Sequence, residues 1–306
     1  MKKKAVTGIL CIAAIAVLGA CLFLIGKSNK KKEDDSWRQG QTAWKITQYG
    51  TGEDSQMMFY TIERSDGAFL VIDGGWNWNE EAVRKVIKEH GNHVDAWILT
   101  HPHPDHIGAF NAIMKNPNGI TVDMVYDVYI DLEEYRSVAN EWDEIGVYED
   151  YLLMAFDGVF PVTHIERNME LEILGLKVTC FNAYDDEVSS RTEAICNNGS
   201  LMLKMEGSTE SILFCADVEY AMQDYLIETY ADKLTADYVQ MGHHGNWGLR
   251  EGFYDVVKPQ GAFFDGPDSL YVESQLYDGF RMMEHIKKMG AAIYTLNEAP
   301  NSIIIK

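Results

Sequence analysis

Proline and basic residues are scarce in this chain of 306 residues, and its cysteines are few and unpaired by spacing. Seven Pro against 25 Gly, with no Gly-X-Y period and no repeat at 20 to 50 residues, exclude collagen-like and solenoid architectures. Of five Cys, Cys11 and Cys21 lie in an apolar run and Cys180, Cys196 and Cys215 in the body. That odd count without C-x-x-C spacing indicates no disulfide framework, and the three body cysteines read as core thiols, mild evidence for a reducing setting. Basic residues number 26 against 47 acidic ones. Seven of the 26 are lysines within residues 1–32, which hold no acid, so the rest of the chain carries 19 basic and 47 acidic residues, a formal −28. Such a surface repels polyanions and argues against nucleic acid as a partner, although a local metal site can still hold one phosphate. What is present, 46% hydrophobic and 24% charged residues, is ordinary for a folded protein and excludes disorder as the main state.

Long apolar runs are also absent, with one exception. Ala5 to Gly26 is free of charge over 22 residues, enough to cross a hydrocarbon core of ~30 Å. Residues 1–27 are therefore expected to be a membrane anchor or signal sequence. A retained transmembrane helix is favoured over a cleaved signal peptide and over a lipoprotein signal ending in the lipobox-like Leu18-Gly19-Ala20-Cys21, because apolar residues continue past each cleavage point. Lys2 to Lys4 face four lysines on the other side, so the positive-inside rule does not discriminate. The N-terminal position favours a single-pass protein of the cell membrane with its domain extracytoplasmic. Residues 28–42 read as a charged linker and 43–306 as one domain. Nothing in the sequence sets an oligomeric state.

Within that domain, Trp44 to Tyr49, Met57 to Glu63 and Ala68 to Ile72 read as three meandering strands. A helix follows, with Asn79 as its cap, an apolar stripe of Val83, Val86 and Ile87, and Gly91 at its end. Further on come a strand at Asp95 to Leu99, a helix at Ile107 to Met114, a strand at Thr121 to Tyr126, and a Tyr-rich acidic helix over Leu132 to Phe156. Strand-rich blocks cover Leu171 to Phe181 and Ser200 to Cys215. A helix from Glu219, strands at Tyr238 to Met241 and Ala262 to Phe264, helices at Glu251 to Val257 and Glu273 to Met289, and two closing strands complete the order. Two groups of strands, each followed by helices, suggest an α/β domain of two sheets packed face to face with helices outside.

The most informative stretch is Thr100-His101-Pro102-His103-Pro104-Asp105-His106, placed where an apolar strand gives way to a helix. Residues i and i+2 of an extended segment point the same way, so His101 and His103 present two imidazoles to one metal. Pro102 and Pro104 hold that extension, and Asp105 and His106 turn into the helix to face a second ion. The bland reading is a His-rich surface loop, yet H-x-H-x-D-H should arise by chance on the order of once in a thousand chains of this composition. Imidazole with carboxylate suits Zn²⁺, with Mn²⁺ or Fe²⁺ as alternatives. Two later strand ends supply further ligands: Ser211 to Asp217 delivers a carboxylate, and Met241-Gly242-His243-His244-Gly245 delivers imidazoles. Asp217 alone would read as a helix cap. With five of the nine His gathered in two strand-end loops, a carboxylate bridging two metals is the better reading. His90, His93, His164 and His285 lack such partners and read as surface or core residues.

H-x-H-x-D-H after a strand, preceded by a turn such as Asp73-Gly74-Gly75, resembles the signature of the metallo-β-lactamase superfamily over roughly residues 44 to 306. More narrowly the chain resembles the branch of ComEC-type domains and phosphorylcholine esterases, by Tyr49-Gly50-Thr51-Gly52-Glu53-Asp54-Ser55, by Asn197 to Leu201 before the bridging Asp, and by the His-His-Gly that follows. The resemblance implies an αββα sandwich with its site at one edge of the paired sheets. It implies two divalent ions, one held by His101, His103 and Asp217, the other by Asp105, His106, Asp217 and one of the later His pair. His244 is favoured as that ligand, leaving His243 beside it or near substrate. The third His that many members place before the bridging Asp is missing, and Asn197 and Asn198 stand in that region.

Two such ions activate a shared water and clamp the attacking and leaving oxygens of an in-line displacement, with Asp105 orienting the nucleophile and His243 near the substrate. The expected substrate is a small or locally presented phosphodiester or phosphomonoester. An ester or lactone comes next, then a β-lactam; a ComEC-like nuclease, suggested by the resemblance, is the runner-up among hydrolases although the charge of the body opposes it, and a non-catalytic binding module conflicts with a His/Asp set that leaves open positions. Tyr126, Tyr129, Tyr135, Trp142, Tyr148 and Tyr151 among acids offer a wall for a quaternary ammonium such as choline, though a helix packing its aromatics inward is the commoner cause of that pattern.

Overall fold

The computed structural model describes residues 35–50, 54–296 and 299–306. The apolar run at 5–26, residues 28–34 of the expected linker and Thr51-Gly52-Glu53 lie outside them. Among the described residues no helix is long and apolar enough to cross a membrane. The chain divides into two compact units, Met1–Gln39 and Gly40–Lys306. The described part of the first includes the 3₁₀ turn Asp35–Arg38, in which the Arg38 guanidinium covers the Trp37 ring.

The second unit begins with an antiparallel meander of β1 (Trp44–Gln48), β2 (Phe59–Arg64) and β3 (Phe69–Asp73). Helix α1 (Glu80–Glu89) and the short β4 (His93–Val94) lead to β5 (Ala96–Ile98), parallel to β3. Helix α2 (Pro104–Lys115), β6 (Thr121–Val122), β7 (Val125–Asp127), helices α3 (Leu132–Val138) and α4 (Gly146–Phe156), and β8 (Val162–His164) follow. The pattern then recurs. An antiparallel set of β9 (Glu170–Ile173), β10 (Leu176–Asn182), β11 (Met202–Glu206) and β12 (Ser211–Phe214) has two short helices, α5 (Asp186–Ser189) and α6 (Ile195–Asn198), inserted after β10. Helix α7 (Tyr220–Tyr230), β13 (Tyr238–Gln240), α8 (Glu251–Val257), β14 (Gly261–Phe264), α9 (Gly279–Lys288) and β15 (Ala292–Thr295) extend that sheet in parallel. β16 (Asn301–Ile305) returns to pair with β1. The result is two seven-stranded sheets, ordered β16-β1-β2-β3-β5-β7-β8 and β15-β14-β13-β12-β11-β10-β9, with a two-stranded β4-β6 accessory.

Strands buried on both faces explain why the sequence runs apolar there rather than alternating. In β3, Leu70 and Ile72 enter the core between the sheets while Phe69 and Val71 face the helices. In β12, Ile212 and Phe214 point inward while Leu213 joins the outer core of the second sheet. Three cores thus separate four layers, helix, sheet, sheet and helix, as an αββα sandwich.

Several expectations need correction. Leu132 to Phe156 is not one helix: it breaks after Val138, passes through a 3₁₀ turn at Glu141–Asp143 and a left-handed Glu144, and restarts at Gly146. Its Tyr135, Tyr148 and Tyr151 are buried in the helix-side core, so the inward-packing explanation of that aromatic pattern holds. The Asn79 side chain does not cap α1; its Oδ1 turns back to accept from the Trp76 amide at 2.9 Å. The helix expected from Glu273 begins at Gly279, and Val162–His164 forms an additional edge strand, β8. Asp217 is not the cap of α7, a position held by Glu219.

Candidate metal centre

β3, β5, β12 and β13 all end at one edge of the sandwich, and each delivers a polar side chain there, as parallel strands do at their carboxyl ends. After β5 the extended His103 (φ −72, ψ 152) precedes α2, whose first residue is Pro104. After β13 the chain makes three consecutive left-handed residues, His243, His244 and Gly245. A Cβ at Gly245 would run into the Phe264 ring, so glycine lets this loop close over β14. Backbone held in such conformations is stored strain, concentrated where side chains must be aimed.

Asp217 lies at the centre. Its Oδ1 is 3.2 Å from His106 Nε2, and its Oδ2 is 3.3 Å from His244 Nε2, 3.7 Å from His243 Nε2 and 3.8 Å from His101 Nε2. Asp105 Oδ2 is 3.2 Å from His244 Nε2 and accepts from the Gln56 amide at 3.0 Å. His101, His106, Asp217 and His244 are all within a percent of full burial. The Nε2 atoms of His101, His106 and His244 and Oδ1 of Asp217 nevertheless have no hydrogen-bond partner. Buried polar atoms are rarely left so, and these all face one point.

Outer residues fix which nitrogen is free in His101, His103 and His106. Thr100 donates its amide and hydroxyl to Asp73 at 2.8 and 2.7 Å, and His106 Nδ1 donates to Asp73 Oδ2 at 2.7 Å. The Thr100 oxygen, its proton spent on Asp73, accepts from His101 Nδ1 at 3.3 Å. Both rings therefore present Nε2 lone pairs inward, the arrangement that metal-binding imidazoles require. His103 is the reverse: its Nε2 donates to Asp143 Oδ1 at 2.7 Å, leaving Nδ1 free. The helix break at Glu141–Asp143 serves that contact.

Electrostatics point the same way. For His106 and His244 burial works against the charged form, yet the carboxylates of Asp217 and Asp105 outweigh it, raising His244 to about 10 and His106 well above the ordinary imidazole value. Burial, with the neighbouring His106, pushes His101 well below it. Burial also opposes ionisation of Asp105 and Asp217, but the surrounding imidazoles hold both carboxyls far down. The cluster thus concentrates negative charge in a dry place, and cations other than protons fit that demand.

Ligand atoms within 4.8 Å of one another form three buried groups: His101, His103 and Cys196; His101, His106 and Asp217; and Asp105, His106 and His244. His/Asp donors with orphaned lone pairs suit divalent transition ions. Among the later pair, His244 stands in such a group and His243 does not; His243 is half-buried at the cavity wall, its Nδ1 3.8 Å from Glu219 Oε1. The amide nitrogens that stand where the third His would be turn to Glu219, while Asn197 Oδ1 is buried without a partner at the cavity wall. Asn197 Nδ2 and Asn198 Nδ2 donate to the two Glu219 oxygens at 2.8 and 2.9 Å. Cys196, Asp143, Asp73 and Glu219 escaped sequence reasoning as site residues; only the Asp73-Gly74-Gly75 turn carried a signal. His90, His164 and His285 each meet one carboxylate away from the site, and His93 meets Asp95 and Asp123 at the exposed edge of β4-β6.

The centre floors a cavity of about 530 Å³ whose walls include Trp76, Trp142, Trp247, Tyr277 and Glu219. Trp142, 71% exposed, is the one member of the expected Tyr-rich wall that lines it.

The sequence model of the metallo-β-lactamase superfamily matches residues 54–137, a stretch that includes Asp73 and His101 to His106. That match covers 84 of the 306 residues, and over this stretch the chain is similar to the superfamily. Among solved structures it is similar to the metallo-β-lactamase fold protein YhfI from Bacillus subtilis, with a TM-score of 0.53 at 13% identity, covering 86% of this chain and 100% of that one. It is also similar to CmlA, a diiron β-hydroxylase from Streptomyces venezuelae, with a TM-score of 0.51 at 11% identity, covering 85% of this chain and 54% of that one. At such identities the likeness is one of fold. No curated protein matches by sequence.

Proposed function

We propose that this chain is a membrane-tethered, dinuclear-metal hydrolase cleaving a small or locally presented phosphoester or phosphodiester. The observation that carries the reading is Asp217, buried between four imidazole Nε2 atoms at 3.2 to 3.8 Å on the floor of an open cavity. His101, His103 and Asp217 would hold one ion, and Asp105, His106, Asp217 and His244 the other. Zn²⁺ suits these donors, with Mn²⁺ or Fe²⁺ as alternatives; the diiron content of CmlA supports including iron. Bound there, the ions would generate a nucleophile from water near neutral pH and neutralise charge gathering on the phosphoryl group.

The chain's own residues do the rest. Asp73 and Thr100 hold His106 and His101 in the required tautomers, and Asp143 does so for His103. Asp105, steadied by Gln56, accepts a hydrogen bond from the attacking water and orients it. His243, between Asp217 and Glu219 at the cavity wall, is placed to hand a proton to the leaving oxygen. Trp76, Trp142, Trp247 and Tyr277 exclude water and favour a leaving group with an apolar or cationic part, choline being one such group. The apolar run at 5–26 would keep this domain at the outer face of the cell membrane, near locally presented substrates.

The test is hydrolysis of a bis-aryl phosphodiester by the full-length chain before chelation, after it, and after Zn²⁺, Mn²⁺ or Fe²⁺ is restored. Activity lost and regained with the metal is expected. Turnover indifferent to chelation, or two bound ions with no turnover of phosphoesters, esters or lactones, would replace the hydrolase with a different catalyst or a binding module.

A further inference from the structure

Asn197 and Asn198 stand where the third imidazole would be and spend their amide N–H groups on Glu219; Asn197 Oδ1 is left without a partner, but an amide oxygen is a poorer donor to a transition ion than a thiolate. Cys196 lies one residue before them, in the short helix α6, 2% exposed. Its sulfur falls with a nitrogen of His101 and one of His103 in a group whose members are all within 4.8 Å of one another. Nothing comparable holds for the other two body thiols. Cys180 Sγ donates to the Asn182 carbonyl at 3.0 Å, and Cys215 packs in the outer core of the second sheet.

The segment carrying Cys196 is fixed from several sides. The buried Asn182 side chain donates to the carbonyls of Asn198 and Ser200, each at 2.8 Å. The Leu201 amide donates to the Thr100 carbonyl at 2.9 Å, tying the end of this loop to the strand end that bears His101. Asn197 and Asn198 grip Glu219 beyond. One independent feature beside the thiol points to a ligand: His101 Nε2 is buried without a hydrogen-bond partner. A core thiol needs only apolar neighbours. This one is set against two imidazoles whose other nitrogens are held by Thr100 and Asp143.

We propose that Cys196 is the third terminal ligand of the first ion, completing a His101, His103, Cys196 set beside the bridging Asp217. The inference rests on the dinuclear reading above and deepens it. Binding releases the thiol proton to solvent and leaves sulfur donating an electron pair to the ion, with no change in oxidation state. A thiolate is a soft donor, so this site should select Zn²⁺, Co²⁺ or Fe²⁺ over Mn²⁺ and Mg²⁺, narrowing the metal choice that His and Asp alone leave open.

The experiment loads the full-length chain with Co²⁺ and records its near-ultraviolet spectrum together with metal content. Two bound Co²⁺ with a thiolate-to-cobalt charge-transfer band are expected. The band should vanish in Cys196→Ser and persist in Cys180→Ser and Cys215→Ser, and Cys196→Ser should bind one of its two ions at least ~10-fold more weakly. Cys196→His, which restores an imidazole, should keep both ions while lacking the band; it serves as a second variant if the serine protein does not fold. Two bound Co²⁺ in the wild-type chain with no such band, or a band surviving in Cys196→Ser, overturns this inference and leaves the hydrolase reading standing. No bound Co²⁺ at all overturns both.

Discussion

A carboxylate buried in a protein must meet a cation or several donors, and Asp73, Asp217 and Asp265 meet that demand differently. Asp73 takes two bonds from Thr100 and one from His106; it acts through the histidine it orients. Asp73→Asn should therefore weaken metal binding about 10- to 100-fold, the usual effect of losing a carboxylate behind a liganding imidazole, as read by competition with a chelator. Asp217→Asn should cost more, with total metal content falling in elemental analysis, because this one carboxylate faces both groups of imidazoles. His164→Ala, whose ring meets Asp127 and Tyr129 away from the centre, should leave metal content unchanged; equal losses from the two variants would remove the bridging role. Asp265 accepts from Gln48 and Tyr60, each at 2.6 Å, and has one oxygen with no partner. Burial pushes its carboxyl up to about 6 against those hydrogen bonds. A carboxyl with a folded pKa above its unfolded value holds its proton more tightly when folded. Its contribution is thus most favourable below about pH 4 and declines as pH rises to about 6, by about 3 kcal/mol in all. Denaturant titrations across that window should show a shallower decline in Asp265→Asn than in the wild-type chain.

At the scale of elements, irregular backbone does the aiming. The interruption between α3 and α4 carries Asp143 to His103, and a continuous helix over 132–156 would have no such turn. Asp143→Ala should leave the fold intact, since the residue caps only a single 3₁₀ turn, but reduce affinity for one ion about 10- to 100-fold. The loop after β13 is less forgiving. Gly245 has φ +85 and no room for a side chain against Phe264. Gly245→Ala should destabilise by about 1 to 3 kcal/mol, the range for backbone strain at such a site, and should lower metal content by displacing His244. Thermal denaturation together with metal analysis would show whether both losses occur.

Across the whole molecule, charge governs which phosphates arrive. At ~0.15 M salt, interactions beyond a Debye length of ~8 Å are screened, so the acids nearest the cavity decide the approach of a long polyanion. With 19 basic and 47 acidic residues after position 32, those neighbours are mostly repulsive. A small phosphodiester presents one or two charges directly to the centre, whereas duplex DNA must also lay flanking phosphates on the surface. Catalytic efficiency should therefore be higher on a bis-aryl phosphodiester than on linear DNA with Zn²⁺ or Mn²⁺ supplied. Higher efficiency on DNA, falling steeply with added salt, would turn the assignment toward a nuclease.

Short-range pattern determined much of this protein. Apolar runs of β-rich residues mark β1 to β3, β13 and β14 because a strand buried on both faces tolerates little else. H-x-H-x-D-H marks the centre because period-two geometry and two prolines act within a few residues. The imidazoles of His243 and His244 and the carboxylate of Asp217 were legible as strand-end donors for the same reason. What only the tertiary structure decided are meetings between distant segments. Asp143 reaches His103 across 40 residues, and Asn197 and Asn198 grip Glu219 from more than 20 away. Cys196 joins His101 and His103 only because Asn182 and Leu201 dock its loop on the end of β5. In sequence, Cys196 looks like a core thiol, and Asn197 and Asn198 look like poor replacements for a missing imidazole. Sheet pairing sets that thiol beside two imidazoles, because which loops share an edge is set by strand order, and strand order leaves no mark on local composition.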